Sequence, residues 1–230
     1  MKAVFIDIDN TLLSFDEYVK ETMQTGFAHF GLKTYEPYMY SCFVEENNKL
    51  WRQIEKETLT FSELKKIRWN LIFQRLDIDF DGTVFESYFR RMLNESAIPE
   101  AGAYNLLRHL EGDYILCVAS NGPYEQQMHR LELAQMKSFF QYFFISDQVG
   151  ASKPSKSFFD YAFQKLNENR RESILPQETL MIGDSLTSDI SGGMQYGMKT
   201  CYYRRNKDIP VPETVDYVVD DLNQVISLLT

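Results

Sequence analysis

Hydrophobic residues follow two different periods along this chain. Ala3-Val4-Phe5-Ile6 is a short apolar run ending in Asp7-Ile8-Asp9-Asn10-Thr11. Its β-branched and aromatic content predicts a buried strand, with Asn10 as breaker and two carboxylates at the carboxyl end. The period then becomes helical. Val19, Met23, Phe27 and Phe30 recur at helical spacing, and Gly31 is a stop. A second helix is predicted over residues 37–57, carrying Phe43, Leu50, Trp51 and Ile54. Thr60-Phe61-Ser62-Glu63 reads as a capping box that opens a third helix, with Leu64, Ile67, Leu71 and Ile72 on one side. A turn at residues 79–82 and a helix over 84–93 follow. Residues 15–95 are therefore expected to form an all-helical insert.

From Pro99 onward strands and helices alternate. Apolar runs at residues 114–119, 142–145, 179–182, 199–203 and 217–219 predict strands, and Val225, Ile226 and Leu229 predict a closing helix. Such alternation implies βαβ units. The expected fold class is α/β: a Rossmann-like parallel sheet covered by helices on both faces, built from residues 1–14 plus 96–230 and interrupted by the helical insert.

The carboxyl ends of parallel strands share one rim, where ligands bind in open α/β sheets. Asp7/Asp9, Ser120/Asn121 and Gly183/Asp184 each follow a predicted strand directly. Lys153 lies in a loop able to reach the same rim, and Asp189 falls five residues after Asp184. Each has a bland reading on its own. Asp, Asn and Ser favour turns, lysines precede prolines in many surface loops, and an acid suits a helix N-terminus. Convergence of all of them on one rim favours a reaction centre.

Composition adds limits. The 230 residues are 44% hydrophobic and 25% charged, with a net charge of -9. That charge disfavours a nucleic-acid polymer or an anionic membrane as partner. A small anionic substrate would need local positive charge or a metal. Cys42, Cys117 and Cys201 are too scattered for a disulfide framework. Reduced thiols, with no signal-peptide pattern before the first strand and no run near the ~20 apolar residues of a membrane span, lead us to expect a cytoplasmic protein. Oligomeric state is not readable from the pattern.

Taken in order, the polar features resemble the motifs of the haloacid dehalogenase-like (HAD) hydrolases. Asp7, Asp9 and Thr11 match Asp-x-Asp-x-Thr; Ser120 matches the second motif, Lys153-Pro154 the third, and Gly183, Asp184 and Asp189 the fourth. The usual Gly after the second Asp is Asn10, and the usual second Pro of Lys-Pro-x-Pro is Lys156, which leaves the start of the next helix open. The resemblance implies a Mg²⁺ cofactor and attack on phosphorus by Asp7, giving an aspartyl-phosphate. It implies that the side chains of Asp7 and Asp184 and the backbone carbonyl of Asp9 hold the metal, with Ser185 and Asp189 beside it or its waters. Asp9 would act as general acid and base. Thr11, Ser120, Asn121 and Lys153 would bind the phosphoryl group. Asp189 is equally open as a partner for Lys153. A second acid at Asp9 favours phosphoryl chemistry over carbon–halogen cleavage.

The insert resembles the family's helical cap, which selects the leaving group. Phe15, Tyr18, Trp51, Arg68 and Trp69 are candidates to meet substrate, although aromatics at helical spacing also serve as bundle core. The whole is similar to the bacterial pyrimidine 5′-nucleotidase branch, which implies a small phosphorylated metabolite, a nucleoside monophosphate, as substrate. A sugar-phosphate phosphatase or phosphomutase is the alternative on the same machinery. A non-catalytic, phosphate-responsive binding protein is the alternative of another class.

Overall fold

The computed structural model describes residues 1–229. The last residue of the core expected from the sequence, residue 230, lies outside them. The strands are β1 (Ala3–Ile6), β2 (Ile115–Ser120), β3 (Tyr142–Ile145), β4 (Thr179–Gly183), β5 (Lys199–Tyr203) and β6 (Tyr217–Val219). The helices are α1 (Phe15–His29), α2 (Pro37–Glu55), α3 (Phe61–Arg75), α4 (Gly82–Asn94), α5 (Ala103–Leu110), α6 (Tyr124–Leu133), α7 (Ser146–Val149), α8 (Lys156–Asn167), α9 (Ser191–Tyr196) and α10 (Asn223–Leu229). Among the described residues the chain forms two compact units, Phe15–Ser96 and the remainder. No described helix is long and apolar enough to cross a membrane.

In the unit that surrounds the Phe15–Ser96 segment in sequence, the described strands pair in the order β3-β2-β1-β4-β5-β6, all parallel. The α/β class with a parallel sheet is as the pattern predicts. Every residue of β1 is buried, because a central parallel strand is covered on both faces. Its alternate side chains enter two cores. Val4 and Ile6 pack with Leu106, Leu107 and Leu131. Ala3 and Phe5 pack with Phe144, Phe158 and Phe163. The order reverses direction at β1: β2 and β3 extend to one side, β4 to β6 to the other. Such a switch point opens a crevice at the strands' carboxyl ends. Register aligns Ile6 with both Val118 and Ile182, so Asp7 emerges level with Ala119 and Gly183.

The missing second Pro of the lysine motif has a local substitute. Ser155 caps α8, its side chain accepting from the backbone N–H of Phe158, which satisfies a donor that the helix cannot.

The helical unit is α1 to α4. The predicted capping box is present on α3: Thr60 Oγ1 accepts from Glu63 N at 3.2 Å, and Glu63 Oε2 accepts from Thr60 N at 2.8 Å. The inward stripe of α3 differs from the predicted one. It is Leu64, Arg68, Trp69, Ile72 and Phe73, while Leu71 is exposed and Ile67 half-buried. A helix interior accepts an arginine when a partner waits there. Arg68 Nη2 meets Glu86 Oε1 at 2.7 Å, Nε meets Oε2 at 3.0 Å, and Nη1 meets Asn47 Oδ1 at 3.1 Å. Around them Trp69, Phe73, Phe85 and Phe89 form one ring cluster, with Trp69 and Phe85 centroids 4.3 Å apart.

Candidate active site

The first strand delivers Asp7 to the rim, and a tight turn then folds the chain back. Asn10 N donates to Leu13 O at 2.7 Å, and Leu12 N and Leu13 N both donate to Ile8 O. This turn requires a left-handed residue, and Asn10 sits at φ 60°. Glycine and asparagine tolerate that conformation better than other residues, which accounts for Asn where the family pattern has Gly. The turn returns Leu12 and Leu13 to the core and leaves Asp9 at the rim. It also buries Thr11 completely, with an Oγ1 that makes no hydrogen bond among the described residues.

Lys153 reaches this rim from the loop before α8 and is itself buried. Its Nζ lies 2.7 Å from Asp7 Oδ1 and 2.6 Å from Asp189 Oδ1, and it also donates to Ala119 O. The loop is held in place by Asn121. That side-chain amide donates to Lys153 O at 2.9 Å and accepts from Lys153 N at 2.8 Å. Asn121 therefore anchors the lysine with its side chain.

Asp189 arrives by an unusual route. It belongs to a single π-helical turn, Leu186–Ile190, in which Asp189 N and Ile190 N share Ser185 O. Such turns recur at functional sites. A Cβ on Gly183 would stand 2.2 Å from Asp189 Oδ2, so glycine before Asp184 is what admits the Asp189 carboxylate. Ser185 N donates to that same Oδ2 at 3.0 Å.

Asp7, Asp184 and Asp189 bring one oxygen each within 4.8 Å of one another. Two buried carboxylates, Asp7 and Asp189, thus face one ammonium, with Asp184 beside them. Burial raises the Asp7 carboxyl, with Asp189 and Asp9 adding to it and Lys153 opposing, and the group is pushed up to about 7. Burial would lower Lys153, but Asp189 and Asp7 outweigh it and hold the ammonium well above its usual range. The cluster therefore carries more buried acid than its own lysine neutralises. An all-oxygen donor set with that surplus fits a hard divalent cation, and the Thr11 hydroxyl, with no partner among the described residues, is left for an oxyanion.

Asp9 is gripped from α6. Gln127 Nε2 donates to Asp9 Oδ2 at 2.7 Å, and Arg130 Nη1 donates to Oδ1 at 2.6 Å. Gln127 also donates to Ser120 Oγ at 3.0 Å and accepts from Arg130 at 2.9 Å. Both residues are buried. The sequence reading missed them. Its only signal was two polar residues three apart on the helix after Ser120, which also describes a solvated face.

The residues nominated from the sequence thus fall into groups. Asp7, Lys153, Asp184 and Asp189 share one cluster, and Ser120 joins Asp9 through Gln127. Ser185 flanks Asp184 and holds Asp189. In the helical unit, Tyr18, Arg68 and Trp69 are buried; Tyr18 bonds to Phe89 O, and Arg68 pairs with Glu86. Phe15 and Trp51 are half-buried. Phe15 packs on Tyr18, Phe43 and Phe89, and Trp51 on Phe61.

Comparison with known proteins points to one family. The haloacid dehalogenase-like hydrolase model matches residues 1–197. The pyrimidine 5′-nucleotidase PynA of Streptococcus pneumoniae is 31% identical over 203 residues, 88% of this chain and 83% of that protein. A glyceraldehyde 3-phosphate phosphatase of Pyrococcus furiosus is 24% identical over 241 residues, 100% of this chain and 93% of that protein. The crystal structure of the HAD-hydrolase YfnB of Bacillus subtilis, bound to magnesium, has a TM-score of 0.88 at 28% identity and covers 100% of this chain and 98% of that one. With the four motifs brought to one rim of the matching fold, the chain belongs to the haloacid dehalogenase-like hydrolases.

Proposed function

We propose that this hydrolase is a Mg²⁺-dependent phosphomonoesterase that works through an aspartyl-phosphate and acts as a 5′-nucleotidase on pyrimidine nucleoside monophosphates. The observation that carries the chemistry is the surplus of acid around Lys153 with a second, separately held acid at Asp9. A pure phosphate binder would gain nothing from these carboxylates. Asp7 Oδ attacks phosphorus in line, the bond from phosphorus to the ester oxygen breaks, and Asp9 gives its proton to that oxygen. Water then attacks the same phosphorus, Asp9 takes its proton, and the bond to Asp7 breaks. When bound by Asp7, Asp184 and the Asp9 carbonyl, Mg²⁺ supplies the positive charge that lets a carboxylate approach an anionic phosphate. Lys153, which stays an ammonium, adds charge on the Asp7 side and positions Asp189. Ser120 Oγ accepts from Gly122 N at 3.2 Å as well as from Gln127. A hydroxyl with both lone pairs engaged presents its proton, so Ser120 donates to a phosphoryl oxygen. The Thr11 hydroxyl and the Asn121 backbone N–H complete that cradle.

The nucleotide reading draws on the similarity to PynA. The Pyrococcus furiosus relative favours a second reading, a sugar-phosphate phosphatase, and a phosphomutase would use the same residues while returning the phosphoryl group to a sugar. The deciding measurement is kcat/KM for UMP and dUMP against hexose phosphates and glyceraldehyde 3-phosphate. A tenfold or greater preference for the nucleotides supports the nucleotidase, and the reverse order refutes it. A non-catalytic binder would release no phosphate from any of them and would form no beryllofluoride adduct at Asp7.

A further inference from the structure

The Asp9 grip ties Asp9, Gln127, Arg130 and Ser120 into one polar network. One glutamine serves three partners: its amide nitrogen donates to Asp9 Oδ2 and Ser120 Oγ, and its oxygen accepts a hydrogen bond from Arg130. The orientation of that amide is forced. A carboxylate only accepts, and a guanidinium only donates. Arg130 is 1% exposed, and its ion pair with Asp9 is charge-assisted at 2.6 Å. The Asp9 side chain itself is 34% exposed. Each of its oxygens receives one of these two donors and keeps a second lone pair for a proton.

We propose that Gln127 and Arg130 are positioning residues that fix the Asp9 carboxyl for proton transfer and hold it at a set separation from the Ser120 hydroxyl. The inference rests on the phosphomonoesterase reading, in which Asp9 protonates the leaving oxygen. Two carboxylate oxygens clamped by donors from one helix cannot rotate about χ2 without breaking both bonds. Gln127 then makes the acid and one phosphoryl donor a single unit, so a misplaced acid is costly where the leaving oxygen needs a proton. Where the leaving group is stable as an anion, misplacement matters little.

That difference supplies the test, because kcat/KM covers every step up to departure of the leaving group. We compare a nucleoside monophosphate, whose alkoxide needs protonation, with 2,4-dinitrophenyl phosphate, whose phenolate does not. Asp9→Asn sets the scale. Arg130→Met should lose about 30-fold or more on the nucleotide and less than about 3-fold on the aryl ester, an effect of displaced proton transfer rather than of a damaged fold. Arg130→Lys should recover part of the nucleotide loss. If Arg130→Met does not fold, Gln127→Met gives the same selective loss on top of a uniform one through Ser120, and the ratio of the two losses is the readout. Equal losses on both substrates, or none, overturn the proposal while leaving the phosphatase reading intact, provided Asp9→Asn is selective. If Asp9→Asn is not selective, the acid role of Asp9 has failed, and the positioning role falls with it.

Discussion

Each unit of this chain buries an arginine or lysine with carboxylates, and the two arrangements differ in balance. In the helical unit Arg68 meets Glu86 through two hydrogen bonds, with Asn47 on a third nitrogen. Burial raises the Glu86 carboxyl, and Arg68 opposes it, helped by Arg90 and Lys65, so the acid is fully matched by cations. In the core unit Lys153 stands against Asp7 and Asp189, with Asp184 within reach of both. Here burial pushes Asp7 up to about 7 despite its contact with the lysine. A balanced buried pair is complete as folded and serves the architecture. An unbalanced one is complete only with a further cation, and that marks it as a site.

Changes on either side of this contrast should therefore read out differently. Asp7→Asn should lower kcat by about 10⁴-fold or more, the range seen when a nucleophile is removed, with the fold retained by circular dichroism. Residual turnover within tenfold of wild type would place the nucleophile elsewhere.

Next is metal removal. Excess EDTA after metal stripping should abolish phosphate release, and Mg²⁺ should restore it. Added Mg²⁺ should raise Tm more at pH 8 than at pH 5. The Asp7 carboxyl is raised from 3.8 to about 7 in the metal-free chain, so its contribution to stability is full below pH about 4 and is lost as pH rises to about 7. Mg²⁺ must displace that proton, so its affinity should weaken by about tenfold per pH unit below about 7. Isothermal titration at pH 5, 6, 7 and 8 checks this, and a pH-independent affinity would remove Asp7 from the ligand set.

The balanced pair gives a smaller, purely structural effect. Arg68→Met should cost about 3–5 kcal/mol, because Glu86 is left buried and unpaired, whereas Arg68→Met with Glu86→Leu should lie within about 1 kcal/mol of wild type. Urea denaturation measures both. A tenfold fall in kcat/KM on nucleotide alone in the double variant would give Arg68 a part in substrate recognition.

The smallest effect is at the turn. Asn10→Ala should cost about 1 kcal/mol more than Asn10→Gly at φ 60°. Equal Tm losses for the two would show that the Asn10 side chain, and not its backbone conformation, matters.

The strands and their rim were legible because their causes are local. β1 reads from four consecutive apolar residues, and Ser120, Gly183 and Asp184 are located by the strand each one ends. Parallel pairing then forces all three to one side. The capping box at Thr60 and the left-handed need at Asn10 are likewise written in a few adjacent residues. The inward stripe of α3 was not legible. Arg68 is polar by type, and only distant partners, Glu86 eighteen residues away on α4 and Asn47 on α2, make its burial favourable. Gln127 and Arg130 failed to stand out for the same reason: their partner Asp9 is about 120 residues earlier. Asp189 is open in sequence between helix terminus, metal neighbour and lysine partner, and its place beside Lys153 comes from a π-turn and from the missing Cβ of Gly183. Local periodicity thus specifies which elements form and which chemistry ends each strand. Which buried charges find partners depends on side chains brought together from distant positions, and their balance arises only once the chain has folded.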